Sequence, residues 1–207
     1  MMVETPSGPV LTIGHSDHSL ATFLGLLSQH EIGALADVRT SPYSRLHPQF
    51  NQDQLRRALS DEGVKYVYLG DALGGRPRDP SCYENGRVRY DRVAATDHFR
   101  GGLARVVEGA SRYRVALMCA EREPLDCHRT LLVGQALDDE GLEVEHILVD
   151  GTVETHRETM DRLLSRHGLA LEGDLVTPRT DSIAAVIALQ ASRIAYAPPT
   201  RGKESKP

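Results

Sequence analysis

The strongest constraint on the fold of this chain is an alternation. Short apolar runs that suit buried strands are separated by single amphipathic segments of helical period. The runs are residues 10–13, 32–38, 64–69, 114–119 and 144–149, and the helical segments lie at about 20–30, 52–62, 97–113 and 127–140. Ser19 stands as N-cap before Leu20, Phe23, Leu24 and Leu27, which share one helix face. Asn51 does the same before Leu55, Ala58 and Leu59, and Gly63 closes that helix. Phe99, Leu103, Val106, Val107 and Ala110 make the clearest apolar stripe. Asp126 precedes the helix that starts at Cys127, and Gly141 follows it. Strands joined through single helices require right-handed crossovers. The expected fold is therefore a single α/β domain of Rossmann-like or flavodoxin-like, three-layer type, with a mostly parallel five-stranded sheet and helices on both faces. The pattern does not disclose the strand order.

The expected domain spans residues 1–168, with a further helix at about 154–166 packing back onto it. Residues 169–197 form an extension that holds an apolar helical candidate at 183–194. That helix covers either the core or a second subunit, so a homodimer through this segment is one expectation. The polar, proline-containing end at 198–207 is expected to be disordered. No apolar stretch approaches the ~18 residues of a membrane span, and residues 1–10 hold no basic region followed by an apolar run, so the expected location is cytoplasmic.

Polar chemistry gathers on one rim. In open parallel sheets ligands bind beyond the carboxyl ends of the strands. The loops there carry Gly14-His15-Ser16-Asp17, Asp37-Val38-Arg39 with Arg45, Gly74-Gly75-Arg76-Pro77, and Cys119-Ala120-Glu121-Arg122 running on to Cys127-His128-Arg129. The opposite loops are short turns. A net charge of −5 argues against coating of duplex nucleic acid but leaves room for one basic cleft. Lysine occurs only at Lys65, Lys203 and Lys206, so the remaining cations are arginines, suited to bidentate anion recognition. The cysteines Cys82, Cys119 and Cys127 are too few for a disulfide scaffold. Cys127, read as lying in the first helical turn, gains from the free N–H groups there, which lower a thiol pKa and attract anions.

These residues point first to an enzyme acting on an anionic, nucleotide-like or nucleic-acid-derived substrate. Cys119, Glu121, Cys127 and His15 are its candidate reacting groups. Ser16, Asp37, Arg39, Arg45, Gly74, Gly75, Arg76, Arg122, His128 and Arg129 are its candidate substrate contacts. One alternative is a non-catalytic nucleotide or nucleic-acid sensor. Another is a metal protein using Cys119, Cys127 and His128, which adjacent helical positions disfavour because successive side chains diverge by about 100°. No cofactor is read from the sequence. G-x-G-x-x-G after the first strand, the P-loop, G-x-S-x-G and paired C-x-x-C motifs are all absent. The 27 residues 70–96 exceed an ordinary connection and are expected to be a lid, a binding loop or partly disordered.

Seven blocks in order resemble the domain-of-unknown-function 488 family. They are Thr12-Ile13-Gly14-His15-Ser16; Asp37-Val38-Arg39 with Pro42 and Ser44-Arg45; Gln49-Phe50-Asn51; Leu73-Gly74-Gly75-Arg76-Pro77; Met118-Cys119-Ala120-Glu121-Arg122; Cys127-His128-Arg129; and His146-Ile147 with Asp150-Gly151. The resemblance covers about residues 11–156. It implies an intracellular α/β domain whose shared Cys-x-Glu and Cys-His-Arg elements form a site. Similarity to rhodanese-like and phosphatase-like loops is partial, because Pro124 interrupts the loop and Arg129 comes ten residues after Cys119.

Overall fold

The structure, a computed structural model, describes residues 8–172 and 177–198. In chain order its elements are β1 (Val10–Gly14), α1 (Leu20–Gln29), β2 (Ala34–Asp37), α2 (Gln52–Asp61), β3 (Lys65–Tyr68), α3 (Gly70–Leu73), β4 (Tyr83–Glu84), β5 (Arg87–Val88), α4 (Tyr90–Ala94), α5 (Asp97–Ala110), β6 (Val115–Cys119), α6 (Gln135–Asp139), β7 (Val144–Ile147), β8 (Val153–Thr155), α7 (His156–Arg166) and α8 (Arg179–Ile194). The main sheet runs β3-β2-β6-β1-β7-β8, and β4-β5 is a separate hairpin. Every pairing in the main sheet is parallel except β7 with β8.

Alternation along the strands builds the three layers. Leu11, Ile13, Leu35, Ala116 and Met118 face one way and pack with Phe23 and Leu27 of α1 and Leu55 and Leu59 of α2. Val10, Ala34, Ala36, Val115, Leu117 and Cys119 face the other way, toward Phe99, Leu103 and Val106 of α5 and Leu163 and Leu164 of α7. The central strands β1 and β6 are buried throughout, as strands covered on both faces must be. Ser19 caps α1 as expected, accepting a hydrogen bond from the Thr22 N–H.

Four local expectations are corrected. The sheet has six strands rather than five: Gly151 adopts φ +84°, the chain reverses, and Val153–Thr155 returns as an antiparallel edge strand before Thr155 caps α7. The helix expected from Cys127 starts two residues later. A single 3₁₀ turn, Pro124–Asp126, comes first, and its last N–H partner leaves Cys127 extended at φ −135°, ψ 140°. The chain then enters a π-helical stretch, Arg129–Gly134, that leads into α6. Asn51 precedes α2 but does not cap it, because its side-chain oxygen accepts the Ser44 N–H at 2.7 Å instead. Residues 70–96 are not an open loop. They fold into α3, a hairpin and α4, with Cys82, Val88, Tyr90 and Val93 in the core.

The helix expected at 183–194 begins earlier, at Arg179, and lays Val186, Gln190 and Ala191 onto this chain's own core. Beyond it, the Val88 N–H donates to the Tyr196 carbonyl and Arg87 Nη1 to the Ala195 carbonyl, so the segment is tied to the β4-β5 hairpin. The tail expected over 198–207 lies, apart from Pro198, outside the described residues. Among the described residues no helix is long and apolar enough to cross a membrane.

Candidate functional site

A cavity of about 850 Å³ opens at the carboxyl ends of β1, β2 and β6. Of the residues singled out from the sequence, His15, Ser16, Arg39, Gly75, Arg76, Cys119, Glu121, Arg122 and His128 line it. Asp37, Arg45, Gly74, Cys127 and Arg129 do not. Each of these five has a place of its own behind or beside the wall.

Cys119 ends β6 on the α5 side of the sheet, and parallel pairing continues past it: the His15 N–H donates to the Cys119 carbonyl and the Ser16 N–H to the Ala120 carbonyl. The loop after β1 is thereby laid along the loop after β6. Glu121 Oε2 lies 2.8 Å from Cys119 Sγ and 3.0 Å from Cys127 Sγ. Because Cys127 is extended, its sulfur and the His128 ring converge instead of diverging. His128 Nδ1 stands 3.6 Å from Cys119 Sγ and 4.0 Å from Cys127 Sγ, while Nε2 donates to the Val38 carbonyl at 3.0 Å. Gly75 makes room for this ring, since a β-carbon there would meet His128 Cγ at 3.1 Å.

Burial pushes the Cys119 thiol well above the ordinary range, and the neighbouring Cys127 and Glu121 add to the rise. Burial opposes the Cys127 thiolate too, but the Cys119 hydrogen bond, the Arg129 charge and His128 outweigh it and hold Cys127 well below. Glu121 is raised by burial and then by Cys127. For His128 burial is overcome by Cys127, so the imidazole is raised.

The two inner arginines are committed to the protein. Arg129 is completely buried; its guanidinium donates to the Glu121 carbonyl at 2.6 Å and the Arg122 carbonyl at 3.2 Å, pinning the β6 loop from beneath. Arg39 grips Asp37 with two bonds, Nε to Oδ1 at 2.9 Å and Nη2 to Oδ2 at 2.6 Å, and Nη2 also donates to the Phe50 carbonyl. The Tyr66 hydroxyl donates to the same Asp37 carboxylate. The remaining Arg39 nitrogen, Nη1, reaches His15 Nε2 at 3.2 Å, while His15 Nδ1 faces the Ser16 carbonyl at 2.9 Å. That pairing fixes a neutral ring protonated at Nδ1. Burial, then Arg39, lowers the His15 pKa to about 4. His15 also stacks on Phe50, centroids 4.3 Å apart.

The outer arginines are freer. Arg122 Nη2 donates to Asp17 at 2.5 Å on the surface. The Arg76 guanidinium lies 4.6 Å from the Tyr196 ring centroid, and among the described residues no carboxylate pairs with it. Gly74 packs so tightly on Gly70 and Thr40 that a β-carbon would stand 2.2 Å from the Gly70 carbonyl oxygen. Arg45 is exposed and does not line the cavity, although its neighbours Ser44 and His47 do.

Sequence reading did not single out His47, Tyr90, Ile194 and Tyr196 in the cavity wall. It also missed a buried relay behind the sheet: Thr12 Oγ1 to His146 Nδ1 at 2.7 Å, His146 Nε2 to His156 Nδ1 at 3.0 Å, and His156 Nε2 to Gln135 Oε1 at 3.2 Å. The Gln135 oxygen can only accept, so His156 Nε2 carries a proton; burial lowers the pKa of both rings, and with both neutral the hydrogen bonds run one way from Thr12.

Fold and site together define a parallel α/β protein with a thiol, carboxylate and imidazole cluster beneath an arginine-bearing cavity. The chain belongs to the family described as domain of unknown function DUF488, whose model matches residues 19–136. No curated protein and no solved structure compared with the chain matches it.

Proposed function

We propose that the protein is an enzyme that holds a small anionic, nucleotide-like or nucleic-acid-derived substrate in this cavity and moves a proton through Glu121. One observation carries the reading: Arg76 and Arg122 line the same 850 Å³ cavity that Cys119, Glu121 and His128 line. The arginines supply planar donors for a phosphate or carboxylate. Glu121, raised above the usual carboxylate range by burial and then by Cys127, stands within hydrogen-bond reach of both sulfurs and is the group proposed to carry the proton. Arg39 and Arg129 act through position, Arg39 by holding His15 and Arg129 by fixing the Glu121 backbone.

The test is binding and turnover with a panel of inorganic phosphate, nucleoside mono- and diphosphates and short oligonucleotides. Binding is expected to weaken about tenfold in Arg122→Ala and in Arg76→Ala, the loss of one charge-assisted contact. Glu121→Gln is expected to keep binding and lose turnover. Binding that is never followed by turnover in the unmodified protein would instead identify a sensor, and no binding of any anion would remove the reading.

A further inference from the structure

We propose that Cys119, Cys127 and His128 hold one divalent transition-metal ion, zinc by the character of the donors, with Glu121 beside a fourth position that faces the cavity. The inference concerns the floor cluster used in the proposed function and does not depend on what the arginines bind.

Distance is the first support. One donor atom from each of Cys119, Glu121, Cys127 and His128 falls within 4.8 Å of all the others. Tetrahedral zinc with bonds of about 2.3 Å to sulfur and 2.05 Å to nitrogen sets sulfur–nitrogen edges at about 3.6 Å. The two edges here are 3.6 and 4.0 Å.

Orientation is the second. A histidine ligand characteristically donates its other ring N–H to a carbonyl or carboxylate, which fixes the ring and the free nitrogen. His128 does this through Nε2 to the Val38 carbonyl, and the nitrogen left facing both sulfurs is Nδ1. The Arg129 backbone N–H is directed at Cys127 Sγ from 3.4 Å, a support that a thiolate ligand uses.

The third support is the backbone. Two neighbouring residues inside a helix could not both reach one ion, but Cys127 is extended and the helix begins only after His128. The departure from helical form falls at the one residue where helix would separate the donors.

Charge and access complete the case. Two thiolates balance the charge of a divalent ion, so a buried site of this composition is neutral. Two sulfurs and an imidazole favour zinc over magnesium or calcium. The thiol protons must leave as the ion enters, and Glu121 Oε2, in reach of both sulfurs and lining the cavity, is placed to carry them out. An ion with three protein ligands and an open fourth position can polarise a bound oxygen, with Glu121 as the neighbouring proton carrier.

The experiment is metal analysis of the purified full-length protein, followed by Co²⁺ titration of chelator-treated protein. One equivalent per chain is expected, with thiolate-to-cobalt charge transfer in the near ultraviolet and the visible bands of tetrahedral cobalt. Cys119→Ser and Cys127→Ser should each weaken the charge transfer, and Cys82→Ser, buried elsewhere in the core, should leave it intact. Glu121→Gln should still bind one equivalent, weakened by no more than about 10–100-fold. If a serine variant fails to fold, the cobalt spectrum of the unmodified chain decides alone. Chelator-treated protein that is folded by circular dichroism, yet takes up no zinc and shows no charge transfer, overturns the inference. Titration of the same samples with the panel of inorganic phosphate, nucleoside mono- and diphosphates and short oligonucleotides separates the two readings: metal without binding of any of these anions retains this one and removes the anion pocket, and anion binding without metal does the reverse.

Discussion

Gly14 lies so close to Glu121 that a β-carbon placed on it would stand 1.9 Å from the Glu121 carbonyl oxygen. That oxygen is also the acceptor for the buried Arg129 guanidinium. The end of β1, the β6 loop and the π-helical stretch are therefore locked together at one backbone atom. Gly14→Ala must displace backbone, not a flexible side chain, and is expected to cost about 3 kcal/mol. Gly25→Ala, where nothing lies within 4 Å on α1, is the control and is expected to be neutral or to gain up to about 1 kcal/mol. Urea denaturation of the pair checks this, and equal effects would refute the lock.

Arg129→Lys is not a conservative change. The fork that serves two carbonyls becomes a single ammonium, which cannot span both acceptors from a fully buried position. A loss of about 2 kcal/mol is expected, together with weaker binding of any ligand that contacts Glu121. A melting temperature and ligand affinity equal to those of the unmodified chain would contradict it.

Asp37 and Arg39 should behave as a unit. Asp37→Asn leaves a buried guanidinium without its counter-charge and is expected to cost about 3–5 kcal/mol. Adding Arg39→Met to it should recover a substantial part, because the orphaned charge is then gone. Strict additivity in the double-mutant cycle would show that the pair is not coupled.

Acid should destabilise the fold through its buried histidines. Burial, with Arg39 the next cause, lowers His15 from 6.5 to about 4, and burial lowers His156 to about 4. His146 moves the same way, from burial and then from His156. Unfolded chains take up these protons near pH 6.5 while the folded chain refuses them. Stability is thus fully present above pH 6.5 and falls progressively toward pH 4, by about 3 kcal/mol for a group shifted as His15 is. Urea midpoints measured across that window should fall with pH. His156→Gln, which keeps a partner for His146, should flatten the slope, and an unchanged slope would assign the acid sensitivity elsewhere.

Much of this architecture was legible because it rests on local pattern. Leu20, Phe23 and Leu27 announce α1, and the run ending at Cys119 announces β6, since a doubly covered strand has nowhere to put polar side chains. The rim was legible for the same reason: His15, Arg39, Arg76, Glu121 and His128 each follow directly on a strand or its loop. What failed was decided by distant partners. Asp126 has the composition of a helix cap, but its carboxylate accepts a hydrogen bond from Gln190 of α8 and faces Arg166 of α7. Cys127 is drawn out of the helix toward Cys119 and Glu121, a preference that only the folded chain expresses. Tyr196 carries no local signal at all, because its place beside Arg76 depends on α8 crossing the core.

That last residue comes from a different stretch of the chain than the floor cluster. Cys119, Glu121 and His128 fall within residues 19–136, which the family model covers, whereas Ile194 and Tyr196, which line the same cavity, fall well beyond it. The cavity is thus lined from two stretches of the chain, one inside the family match and one beyond it. Exchange of the terminal segment alone is expected to reshape the cavity while the Cys119, Glu121 and His128 cluster keeps its position.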